Sequence, residues 1–388
     1  MSQLIKSIIR NPGAIFPSNS QAWLSYAPVL FLFFVASAVN SQTLFLDGEY
    51  VLPNRAAAMS AYVADPDYSH AISLNPAKLG FVQVVHFASD AQTFTGDAGK
   101  LFLGDTSSHP FQNGRFASWD ASTGFPAGPV GVGLEYSSLY MGGWHTTISG
   151  LGLGYELPFG FAIGATAKLV DFTRLTSSSA AAVFDSRASL LTFDVGVENR
   201  TTLADNTFFR ALISSGATFS NVLSRTTLNP IGQPDLQPGS RVDVPSVLTC
   251  GVGYLFASNY RLADFELFRL SFAADYSHIF MGSSPIDDLI NHHDRFSFGI
   301  EASALGVLSV RLGYVLKSPS VSGEDAFNNL VIAEMGTGFS YGMSLRFPLK
   351  LVLPVVPVTS LEISYAKSPE WSSGMYHDLF GITCEAQF

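Results

Sequence analysis

From about residue 83 to its carboxyl end the chain repeats one pattern, in which apolar and polar residues alternate through runs of about 10–13 residues. In Leu379–Phe388 one face reads Phe380, Ile382, Cys384, Ala386 and Phe388, and the other Leu379, Gly381, Thr383, Glu385 and Gln387. Met335, Thr337, Phe339, Tyr341, Met343 and Leu345 oppose Gly336, Gly338, Ser340, Gly342, Ser344 and Arg346 in the same way. A period of two is that of a strand with one oily and one polar face. Strands of soluble sandwiches average about 5–6 residues, whereas a strand tilted across a bilayer needs about 9–11. These runs have the second length.

Composition narrows the choice further. The 388 residues are 47% hydrophobic and only 13% charged, against roughly 25% charged in an ordinary soluble domain. Yet beyond residue 42 no unbroken apolar stretch long enough for a spanning helix occurs, and the longest candidate, Phe347–Val358, is broken by Pro348, Pro354, Pro357 and Lys350. An apolar chain without such a helix is either a large secreted β-protein or a closed barrel, in which strands satisfy one another's backbone groups. A net charge of −10 with 21 scattered Lys and Arg argues against a nucleic-acid partner. Two cysteines make no disulfide framework.

Alternating segments are read at 83–95, 115–122, 128–139, 145–157, 160–172, 189–201, 209–221, 246–256, 266–279, 293–304, 307–317, 332–346, 358–367 and 377–388. That makes an all-β, transmembrane antiparallel barrel of about 14 strands, although twelve or sixteen also fit the weak first and second segments. Gaps of about fourteen residues on average alternate with gaps of about six. Long external loops alternating with short periplasmic turns are the habit of outer-membrane barrels. The polar faces carry Glu135, Lys168, Asp194, Glu198 and Arg311 singly, as a wet or plugged lumen would.

The amino terminus supplies the address. Lys6 and Arg10 precede the apolar run Ala27–Ala36 and the small residues of 37–41, which reads as a signal peptide cut near Ala38 or Ser41. The expected organisation is a signal peptide over 1–41, a hatch segment over 42–82 and a barrel over 83–388, delivered to the outer membrane and its lipid.

Covalent chemistry is not expected. His292, His293 and Asp294 resemble a metal cluster beside Asp287 and Asp288, but no third ligand completes it. Ser277 and His278 are adjacent in a strand and so point to opposite faces. Cys250 and Cys384 fall on distant strands and stay unpaired. No nucleophile elbow or phosphate loop occurs, so neither enzyme, metal nor cofactor is anticipated. Asp97, Asp105, Glu324 and Asp325, with Asp287 and Asp288, either steer a cationic partner or are solvated loop charge.

Residues 42–82 break the alternation. Arg55-Ala56-Ala57-Ala58-Met59 is followed by a turn containing Asp65, Pro66 and Asp67, and then by Leu74-Asn75-Pro76-Ala77-Lys78. Asn75 can turn back on its own backbone while the following proline keeps it extended, which gives a rigid bend able to pin this segment to a wall. This segment resembles the amino-terminal hatch of the FadL superfamily of outer-membrane proteins, with Arg55, Met59, Asp67, Asn75, Pro76 and Ala77 on the motif. Pro66-Asp67 followed by Asn75-Pro76-Ala77-Lys78 is most similar to the PorV/PorQ branch. Ala58 and Ser60 stand where the family usually has glycine, and Leu74 where it usually has an aromatic.

The resemblance implies a fourteen-stranded barrel around a hatch. It further implies a part in type IX protein secretion, binding the carboxy-terminal signal domains of cargo at the cell surface and handing them from translocon to attachment complex. The alternative it implies is a FadL-type channel for long-chain fatty acids or other hydrophobic compounds; a general diffusion porin is a third possibility. Phe388, on the apolar face of the last segment, resembles the signal such barrels present to the barrel-assembly machinery.

Overall fold

The computed structural model describes residues 56, 59, 61–64, 70–94, 117–141, 144–178, 181–222, 225–227, 229–230, 241–243, 246–262, 265–280, 292–319, 338–349, 358–369 and 376–386. The expected signal peptide over 1–41, Arg55, Asp67, Phe388 and the acidic loop residues Asp97, Asp105, Asp287, Asp288, Glu324 and Asp325 lie outside the described residues.

Fourteen long strands form the wall: β1 Val85–Phe94, β2 Ala117–Ala127, β3 Val130–Met141, β4 Trp144–Leu157, β5 Phe161–Ser178, β6 Ala181–Asp205, β7 Phe209–Val222, β8 Ser246–Ser258, β9 Phe268–Phe280, β10 His292–Ala304, β11 Leu308–Pro319, β12 Gly338–Phe347, β13 Val358–Pro369 and β14 Tyr376–Ala386. Each pairs antiparallel with its chain neighbours, and β1 pairs with β14 from Val85↔Ala386 to Phe94↔His377, so the sheet closes on itself. The expected fold class is the observed one.

Most boundaries fall within a few residues of the sequence reading, and the largest differences are in β2 and in the β5–β6 hairpin. β2 runs on to Ala127, leaving a turn at Gly128, whose φ of 69° suits a residue without a side chain. The expected loop over 173–188 is instead largely a hairpin, in which β5 and β6 stay paired as far as Ser178↔Ala181. Its Ser-, Thr- and Ala-rich sequence carries no alternation, while the backbone ladder continues without it.

The outward face is apolar. On β5 it reads Phe161, Ile163, Ala165, Ala167 and Leu169 before ending at Asp171. Leu151, Leu153 and Tyr155 continue it on β4, Phe296 and Phe298 on β10, and Leu308, Val310 and Leu312 on β11, all exposed. An unbroken exposed belt of this kind is a surface for lipid rather than water.

The inward face of the same strand reads Ala162, Gly164, Thr166, Lys168, Val170 and Phe172 from the short-turn end to the long-loop end. Against its lower part lies the hatch segment. A short helix, Ala71–Leu74, leads through Asn75 into a 3-10 helix, Pro76–Phe81, and Met59, Ala61, Val63, Ala64, Ile72 and Leu79 are completely buried. The segment lies backbone-to-backbone on wall glycines. A Cβ on Gly131 of β3 would overlap the Leu79 carbonyl, one on Gly164 of β5 the Pro76 carbonyl, and one on Gly299 of β10 the Met59 carbonyl. Gly131, Gly154, Gly164 and Gly196 stand abreast in register across β3 to β6. The glycine-rich polar faces of the sequence are the seat of the plug.

Because backbone cannot retreat from a new methyl group, Gly164→Ala and Gly299→Ala should each cost about 1–3 kcal/mol through overpacking. Limited proteolysis in detergent should then cut the 56–82 segment in both variants and spare it in the lipid-face control Ile163→Ala. Unchanged protection in the glycine variants would contradict this seat.

Candidate functional site

Polar ties fix the plug to β1, β2, β3, β6 and β9. Asn75, fully buried, accepts a hydrogen bond at Oδ1 from the Ala77 amide (3.1 Å) and donates from Nδ2 to the carbonyls of Val63 (3.2 Å) and Val197 of β6 (3.3 Å). One side chain therefore caps the 3-10 helix, joins two parts of the plug and binds the barrel. Asp275 of β9 accepts from the backbone amides of Tyr62 (2.5 Å) and Val63 (2.9 Å). Buried Lys78 donates to the Tyr62 carbonyl at 2.6 Å. At the lower end, the Arg200 guanidinium covers the Phe81 ring at 4.2 Å while its Nε meets Glu198 at 2.7 Å.

His70 forms the strongest electrostatic tie. Asp90 of β1 and Asp120 of β2 face each other across the sheet, and two like charges so placed repel. His70 stands between them, Nε2 at 3.0 Å from Asp90 and Nδ1 at 3.1 Å from Asp120, with Ser122 Oγ 3.2 Å from Nδ1. Burial favours the neutral ring, but the two carboxylates outweigh it and raise the His70 pKa from 6.5 to about 10. Proximity alone makes these three residues a possible metal group. Each ring nitrogen, however, points at a separate carboxylate, the arrangement of an imidazolium between two anions.

Beside it, Ser73 of the plug donates to Glu135 of β3 at 2.5 Å. Glu135 and Asp194 of β6 share the ammonium of Lys168, at 3.8 Å for Glu135 and closer for Asp194. The sector from β10 to β14 is crossed by side chains instead. Glu301, Arg311, Glu362, Arg346 and Glu385 form a continuous ladder, with Arg311 Nε 2.6 Å from Glu301 and its Nη2 2.9 Å from Glu362. Plug and ladder together occupy the lumen at this level.

Above the seat, on the side of the long loops, the inward face turns apolar. Val170 and Phe172 of β5 and Ala188 and Leu190 of β6 are buried there, directly over Lys168. The wall beside them is irregular. Phe193 pairs with Val222 and Val195 with Phe219, so Asp194 alone faces Ser220 and Asn221, and Asn221 takes a left-handed φ of 59°. Like the other breaks in register it lies near a strand end, here the Val222 end of β7, but it sits at the depth of the plug.

The residues singled out from sequence are distributed as follows. Met59, Asn75, Pro76 and Ala77 are all buried in the plug but on different parts of the wall, Met59 against Gly299 and Gly313 and Asn75-Pro76-Ala77 against Gly164 and Gly196. The polar-face charges expected singly are paired, across strands for Glu135 and Asp194 with Lys168 and for Arg311 with Glu301 and Glu362, and within β6 for Glu198 with Arg200. Lone charges inside a wall would carry a heavy desolvation cost, and register supplies partners that linear reading does not. Asp294 accepts from Tyr276 at 2.6 Å and pairs with His278 at 2.8 Å, Ser277 turns inward to Thr249, and both cysteines are free. His70 and Ser73 are not among the residues read from sequence, and Lys78 is read there only as the end of the Asn75-Pro76-Ala77-Lys78 motif; the cue available for Ser73 and Lys78 was a polar residue between apolar ones in a segment without alternation.

Two outcomes follow from these ties. The folded pKa of His70 lies above its ordinary value, so its contribution is complete below about pH 6.5 and disappears as pH rises through about 10. Amide exchange of residues 71–74 should be slow at neutral pH and accelerate above pH 10, and His70→Gln should be faster than wild type at neutral pH yet converge with it at the alkaline end. A gap that stays constant with pH would contradict the ion triad. Removing Arg311, 2% exposed, by Arg311→Leu takes the closest cation from buried Glu301 and one of two from Glu362, which keeps Arg346, and should cost up to about 3–5 kcal/mol in a urea titration. Arg187, 61% exposed beside Asp171, should cost under about 1 kcal/mol as Arg187→Ala in the same urea titration.

No family model and no curated protein matches the chain. Among solved structures it is similar to the Ralstonia pickettii toluene transporter TbuX, at 12% identity and a TM-score of 0.45, over 87% of this chain and 98% of that one. It is similar to the Pseudomonas putida toluene transporter TodX at 11% identity and a TM-score of 0.49, over 87% and 98%. A FadL homologue of Pseudomonas aeruginosa matches at 10% identity and a TM-score of 0.42, over 87% and 98%.

Proposed function

We propose that this protein resides in the outer membrane and passes small hydrophobic molecules inward, the channel alternative among the expectations from sequence. The observation that carries the reading is the apolar inward patch of Val170, Phe172, Ala188 and Leu190 on the outer side of a seated plug. A lumen built for water and ions has no use for such a lining, whereas an oily molecule gains by leaving water for it. A single-ring hydrocarbon burying on the order of 150 Å² there gains roughly 4 kcal/mol, a weak, millimolar affinity suited to passage rather than retention. With the lumen filled below, the way on is sideways, through the irregular β6–β7 seam into lipid. No step makes or breaks a covalent bond.

A shuttle for secreted proteins, the other expectation, would act through the external loops, and no described residue favours it. Uptake of labelled toluene and of a long-chain fatty acid by a deletion strain carrying wild-type or variant genes tests the proposal, with secretion of cargo measured in parallel. Wild type should restore uptake, and Phe172→Asp should lower it about fivefold or more at equal abundance in the membrane, because an uncompensated carboxylate in that patch opposes an apolar ligand. Normal uptake in the deletion strain with lost secretion would overturn the channel reading.

A further inference from the structure

The β6–β7 bulge has an unusual fastening. Where one residue of β6 faces two of β7, the Asn221 amide drops out of the ladder. Asp194 Oδ1 accepts that amide at 2.9 Å, and Ser246 donates to the Asn221 carbonyl at 2.9 Å. The carboxylate that closes the seam is held by Lys168, which is also within 3.8 Å of Glu135. Glu135 in turn receives the hydroxyl of Ser73 on the plug at 2.5 Å. All the charged members are at least nine-tenths buried except Lys168, whose side chain is 11% exposed.

We propose that Lys168 is a positioning residue that reports the seating of the plug to the β6–β7 bulge, by way of Ser73, Glu135 and Asp194. Two carboxylates compete for one ammonium. While the plug is seated, Ser73 satisfies Glu135 and leaves Lys168 chiefly to Asp194, which stays against the Asn221 amide. When Ser73 withdraws, Glu135 draws the ammonium toward itself, Asp194 loses its counter-ion, and the amide it caps is freed. Plug movement thereby loosens one chosen seam and leaves the other strand pairs alone. The relay rests on the passage reading only for its use, since its existence requires no ligand.

Hydrogen–deuterium exchange of the full-length protein in nanodiscs, with no ligand added, tests it at the peptide covering 219–222. Ser73→Ala, which does not touch the bulge, should speed exchange there roughly tenfold, and β10 and β11 should not change. Lys168→Met should do the same, the double variant should add nothing to either single change, and Lys168→Arg should restore slow exchange. Unaltered exchange at 219–222 in Ser73→Ala overturns the relay, as do additive effects in the double variant or acceleration spread evenly over the barrel. If Lys168→Met does not fold, Ser73→Ala alone decides. A failed uptake assay with this exchange pattern intact would sink the passage reading and leave the relay standing.

Discussion

In a bilayer the backbone has nowhere to turn for hydrogen bonds except to itself, and here that constraint is met by the single pairing of β1 with β14 that closes the sheet. Closure on fourteen strands leaves an interior too wide for the wall's own side chains to fill. A segment that precedes the wall fills it, and the fit is achieved by removing atoms: wall glycines let the plug's carbonyls approach where any side chain would collide. The lipid belt, the glycine tracks and the plug are thus consequences of one topological fact.

Charge gives the packed interior its specificity. Apolar packing alone would let the plug slide along the tracks, but His70 belongs between Asp90 and Asp120, Ser73 at Glu135, and the Tyr62 and Val63 amides at Asp275. Each tie fixes one position, and an ionised group left behind in such surroundings is far more costly than the pair is favourable. Where the plug does not reach, Arg311 and its carboxylates complete the filling. The result is a lumen polar and tied at the plug, apolar above it, and irregular in its wall at one place between them.

Much of this was legible in the residues and some of it could not be. Strict alternation placed all fourteen strands, because lipid on one side and plug on the other enforce a period of two; it lost the hairpin beyond Asp171, whose Ser-, Thr- and Ala-rich sequence does not alternate. Asn75-Pro76-Ala77 announced a rigid bend in its own local chemistry, and the bend sits on β6 through Val197. The glycines of β3 to β6 read only as a polar face, since their purpose depends on which strands stand abreast. His70 was invisible for the same reason: its partners are Asp90 and Asp120, which belong to different strands and meet only when the register is set. The apolar patch above the plug is not legible because Val170 and Phe172 continue an inward face that carries Thr166 and Lys168, and a change of character within one face is no signal until the plug's height is known.

A plug seated on glycine tracks and a ladder of buried ion pairs beside it should together block a continuous water column through the barrel. Electrical recording of the purified, unaltered protein in planar bilayers measures that column directly. A sealed lumen gives long baselines without steady current at moderate voltage, whereas a steady ohmic current from every inserted molecule would show that the lumen is open and that the plug is not seated as described.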